Sequence, residues 1–174
     1  PLEIAIRYGN VDAARLILDA GADPNGRDYI GFIFSDSTGL DDERQILFAK
    51  LLIKANLSTS LVPIVISGNI EAVRLFLDAG IDPNRILYTS SGPLHPLDVA
   101  IDALGDPARR DAALRIAEDL VIRGGMGIRI DRSDYERVTK YGSVVLNESI
   151  RARITFDKDG DIVPVLPLWE AIEH

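Results

Sequence analysis

Three carboxylates at alternate positions, Asp157, Asp159 and Asp161, stand in the run Asp-Lys-Asp-Gly-Asp. Carboxylates so spaced can converge on a hard cation such as calcium. A complete twelve-residue calcium loop also needs glycine at its sixth place and a bidentate glutamate at its twelfth, and those places hold Ile162 and Leu168. The run therefore reads as a hairpin turn, for which aspartate and glycine have the right backbone preferences. A calcium-responsive domain is the minor alternative. Acid–base catalysis needs a positioned titratable pair, and the histidines are His95, in a stretch bounded by Pro93 and Pro96, and His174 at the end of the sequence. Asp19 with Asp23, and Asp78 with Asp82, are paired carboxylates, but Asp23 and Asp82 fall in turns where an aspartate bonds its own backbone. Gly124, Gly125 and Gly127 follow a helix instead of opening one, so the local dipole favours cations over phosphate. Trp169 reads as a core or cap anchor. No catalytic residue, metal or cofactor is expected.

Composition narrows the partners. With 27 acidic and 19 basic residues the formal charge is -8, and this field repels phosphate backbones, so nucleic acid is not expected. No apolar run approaches the length of a membrane helix, so neither is a membrane. Cysteine is absent, which removes disulfides and thiol chemistry and fits a reducing, cytoplasmic setting.

The elements that carry these residues are repetitive. Residues 9–25, Gly-Asn-Val-Asp-Ala-Ala-Arg-Leu-Ile-Leu-Asp-Ala-Gly-Ala-Asp-Pro-Asn, recur with few changes at residues 68–84, an offset of 59. Apolar residues recur at helical spacing in both copies: Val11, Ala14, Leu16, Ile17 and Leu18, then Ile70, Val73, Leu75, Phe76 and Leu77. Gly21 and Gly80 stand where a helix ends on a left-handed residue. Upstream of the first copy lies Pro1-Leu-Glu-Ile-Ala-Ile6, with similar runs at Pro96–Ile101 and Pro167–Ile172, each opening a helix on proline.

A short helix opened by Pro-Leu-x-x-Ala, a Gly-Asn turn, a longer apolar helix and a closing Gly-x-Asp-Pro-Asn together resemble the ankyrin repeat. The resemblance is specific for residues 1–25 and 61–84 and weaker elsewhere. It implies a mostly α fold: a solenoid of about four irregular helix-turn-helix units plus a partial one, with hairpin-like loops on one side and a concave face. The units fall at about 1–26, 27–57, 58–90 and 91–126. In the second, the first helix is expected around Ile30 to Phe34, residues 36–42 form a widened loop, the second helix runs from Glu43 to Ala55, and Asn56 to Ser60 is too short for a projecting loop. Residues 127–166 depart from the repeat and are expected to be an insertion, with a short helix at Ser133–Tyr141 and a β-hairpin made of Ser149–Phe156 and Ile162–Val165. Residues 167–174 read as a partial repeat or cap. Pro1 and Trp169 lie inside partial motifs, which fits one stretch of a longer solenoid.

The function implied is binding of another protein, without catalysis. The family geometry would present Glu3, Arg7 and Tyr8 from the first short helix and Asp98 and Asp102 from the fourth unit. The loops after Asn25 and Asn84 would add Arg27, Asp28, Tyr29, Arg85, Tyr88 and His95. Tyrosine and arginine dominate interface hot spots. A sharper alternative is an acidic inhibitor or immunity-type protein that masks a basic site on an enzyme or toxin.

Overall fold

Each clear repeat copy folds as a pair of helices because its polar residues stop and start them locally. In the computed structural model, which describes residues 1–123 and 132–152 in full and the backbone of 154–156 and 162–164, α1 spans Leu2–Arg7 and α2 Val11–Asp19. Asn10 starts α2, its side chain accepting from the Ala13 N–H at 2.9 Å, and Gly21 follows its end at φ 91°. The copy 59 residues on repeats this: α5 (Val62–Ser67) leads to α6 (Ile70–Asp78), Asn69 bonds the Ala72 N–H at 2.9 Å, and Gly80 lies at φ 81°. Between them stand α3 (Tyr29–Ile33) and α4 (Asp42–Lys54), separated by a short 3-10 turn at Asp36–Thr38 within the expected widened loop.

The fourth pair is α7 (Pro96–Ala103) and α8 (Arg110–Ile122). A fifth follows, α9 (Arg132–Tyr141) and α10 (Val144–Arg151). The odd-numbered helices α3, α5, α7 and α9 pack in succession as one row, and α2, α4, α6, α8 and α10 as a second. Apolar residues fill the space between rows: Ile6, Ile33, Ile64 and Ile101 from one side, Phe48, Phe76, Ile116 and Leu120 from the other, all essentially without solvent contact. Phe34 meets Phe76 edge to face, ring centroids 6.4 Å apart.

The mostly helical solenoid matches the reading of the sequence, and so does α9. One local expectation is corrected. Ser149, Ile150 and Arg151 lie in α10, not in a strand, because Ser143 caps that helix and Leu146 and Ile150, one turn apart, are both fully buried. The helix pair thus continues to stack where the repeat motif is no longer visible. Strands β3 (Ile154–Phe156) and β4 (Ile162–Pro164) pair antiparallel as the expected hairpin, shorter than the sequence suggested. The turn 157–161, Trp169, His174 and Gly124–Gly127 lie outside the described residues.

A second hairpin, β1 (Leu87–Thr89) and β2 (Gly92–Leu94), joins α6 to α7 around Ser90 and Ser91. Gly92, at φ 121°, supplies a backbone conformation closed to other residues.

Candidate functional site

The three described connections between helix pairs lie side by side and are tied to one another by side chains. In the first, Asp23 accepts from the Asn25 N–H at 2.8 Å, and Asp82 does the same for Asn84 at 2.9 Å in the third, the self-bonded turns expected of these carboxylates. That turn aims Asn25 at the second connection, where its Nδ2 donates to the Asn56 carbonyl at 3.2 Å and its Oδ1 accepts from the Ser58 N–H at 2.7 Å. Ser60, buried, donates to the Arg85 carbonyl at 2.7 Å and so fastens the second connection to the third.

Their lengths differ. The second connection is too short to project, whereas the third rises as the β1–β2 hairpin, and a notch of about 350 Å³ is left between them. Arg27, Asp28, Tyr29, Arg85 and Tyr88 line it, five of the candidate residues, together with Ser58. Asp28 caps α3, accepting from the Gly31 N–H at 2.8 Å, and a Cβ at position 31 would collide with its carboxylate. Arg27 is ion-paired with Glu3 at 2.9 Å. Arg85 is exposed and donates to the Ser58 hydroxyl. Tyr88 is 79% exposed, while Tyr29 is half-buried.

The remaining candidates sit outside the notch. Arg7 bonds Glu3 at 3.0 Å and lies over the Phe32 ring, 5.7 Å from its centroid. Tyr8 projects from the end of α1, 81% exposed. His95 is the half-buried residue before α7, its carbonyl accepting from the Val99 N–H, and Asp98 lies in the first turn of that helix. Asp102 is paired with Arg137 of α9 at 2.7 Å, so the fifth helix pair already engages it. That pairing was invisible while residues 127–166 were read as an insertion. The second wall of the notch, Leu57 to Ser60, was also missed, although the shortness of the connection was the signal for it.

The hydrogen bond and charge of Asp119 hold the Arg74 guanidinium above its ordinary range, and hydrogen bonding to Lys140 draws the Tyr141 phenol below its own. Arg74 and Asp119 join α6 to α8, and Arg110 of α8 lies over the Tyr141 ring, 4.1 Å from its centroid. Among the described residues, no three His, Asp or Glu side chains gather closely enough to hold a metal ion, and no helix is long and apolar enough to cross a membrane. Asp157, Asp159 and Asp161 lie outside those residues.

The ankyrin repeat family model matches residues 1–29. No curated protein and no solved structure matches the sequence.

Proposed function

Residues 1–29 are an ankyrin repeat opening a helical solenoid, and from that premise we propose that the chain is a non-catalytic module that binds one specific protein partner through its loop side. Ankyrin repeats generally mediate contacts between proteins, and the family is typically without catalytic activity. The observation that carries the reading is the notch, where Tyr29, Tyr88, Arg85 and Asp28 converge because one connection is short. Tyrosines beside an arginine are the side chains that anchor interfaces at low entropic cost. Chemical cross-linking of the intact chain in its native extract is the test. A stoichiometric partner cross-linked to residues of the loop side is expected, and recovery of no stoichiometric protein overturns the reading.

The charge of -8 favours a second, more pointed version, in which the partner is a basic enzyme or toxin that this chain masks. Electrostatic steering then sets the encounter, so the association rate falls steeply as salt shortens the Debye length from about 30 Å at 0.01 M to about 10 Å at 0.1 M. A rate that is flat over that range removes this version.

A further inference from the structure

Among the described residues no strand pairs with the outer edge of β1 in the hairpin bordering the notch, and we propose that this edge takes an extended segment of the partner protein as an added strand, with one carboxylate of that segment on Arg85. The inference rests on the protein-binding reading above and supplies its site and the chemistry of its partner.

Register carries the argument. Tyr88 stands opposite Pro93. Proline has no N–H, so this pair exchanges no ladder hydrogen bonds, and the alternation of an antiparallel ladder assigns the bonded pairs to Leu87 with Leu94 and Thr89 with Gly92. The peptide N–H and C=O of Tyr88 consequently point away from β2. Residues 85–88 line the notch together with Ser58 and Ser60. The two edges of the hairpin are therefore unlike: Pro93 leaves the outer edge of β2 without a donor at its centre, the usual device against unwanted pairing, while β1 has no proline or lysine. A full-length hairpin in the second connection would lie beside β1, and residues 55–61 are too few to form one.

Charge selects the occupant. Of the charged residues lining the notch, Arg27 already has a carboxylate partner in Glu3, at 2.9 Å, and the Asp28 carboxylate is committed to capping α3. Arg85 is exposed and held by a neutral hydroxyl, and a carboxylate arriving on the added strand replaces that contact with a charge-assisted one. The overall charge of -8 repels acidic runs, so a segment with a single carboxylate among β-prone residues fits best.

The test uses random twelve-residue peptides displayed on phage and panned on the 174-residue protein, with affinities of the synthesised winners measured by anisotropy. Winners are expected to share one Asp or Glu and to weaken about tenfold against Arg85→Ala, the loss of one charge-assisted bond, but not against Lys50→Ala, an exposed residue of α4 that does not line the notch. N-methylation of the one peptide amide that meets Tyr88 should weaken binding about tenfold, its sequence neighbours being tolerant. This series uses the unmodified protein and so decides the matter even if Arg85→Ala fails to fold. Winners indifferent to Arg85→Ala and to N-methylation at every position overturn the strand addition and leave the broader reading standing. Absence of winners together with absence of any cross-linked protein overturns both.

Discussion

Residues 9–25 and 68–84 share most of their side chains, yet corresponding positions meet different surroundings. Ala72 and Phe76 have no solvent contact, while Ala13 and Ile17, their counterparts in the first copy, are half-buried. Leu16 is 70% exposed where Leu75 is half-buried. The difference lies in the neighbours. The helix α6 is held between α4 and α8, whereas α2 packs on α4. In a solenoid each unit contributes its own helices plus the interfaces on either side, so identical sequence buries different amounts of surface at different places in the stack.

The contrast can be broken by mutation. Phe76→Ala should cost about 3–5 kcal/mol by leaving a cavity in a closed site, and Ile17→Ala about 1 kcal/mol because solvent already reaches that position. Equal midpoint shifts in urea unfolding would mean that stacking does not set the difference. Enlargement probes the same space from the other side. Ala72→Leu overpacks a filled interface and is expected to cost about 1–3 kcal/mol, while Ala13→Leu should stay within about 0.5 kcal/mol. The opposite result, a costly Ala13→Leu, would show that α2 has less room than its exposure indicates.

The caps themselves should distinguish the copies little. Asn10→Ala and Asn69→Ala each remove one cap at 2.9 Å and should each cost about 1 kcal/mol, Asn69→Ala also losing a long 3.5 Å contact from its Nδ2 to the Gln45 Oε1 of α4. A large inequality would mean that the caps are coupled to the stack. The smallest effect is expected from the arginine at the same place in each copy. Arg74 reaches across to Asp119 of α8 at 2.6 Å, while Arg15 pairs, among the described residues, with Asp12 on its own helix at 3.6 Å. Double-mutant cycles should give a detectable coupling for the first pair and none for the second, both fading with salt because all four groups touch water. Coupling of equal size in the two pairs would contradict the geometry.

Much of the fold was legible because repetition exposes it. Gly-Asn at one end and Ala-Gly at the other mark the limits of α2 and α6, and Glu43 to Ala55 carried enough helical periodicity to place α4 without either signature. Of the fifth pair α9 was legible and α10 was not. The β-branched residues around Ser149 and Ile150 outweighed the Ser143 cap and the i, i+4 spacing of Leu146 and Ile150, and contact with α8 and α9 makes these two a buried helical stripe. The notch was half legible. Tyr29, Arg85 and Tyr88 were chosen by residue type and loop position, but their convergence depends on Asn25 and Ser60 tying three connections together across the stack.

What the sequence by itself determined is local: where helices begin and end, which turns their aspartates close, and that the chain carries an ankyrin repeat with an acidic surface. These follow from interactions within a few residues, which a linear reading contains. Tertiary structure alone decided which copy is buried, that Asp102 is engaged by Arg137, and that a short connection beside a tall hairpin opens a notch. Each of these depends on residues brought together from different helix pairs, and burial, ion pairing and edge exposure are properties of neighbours that no single repeat encodes.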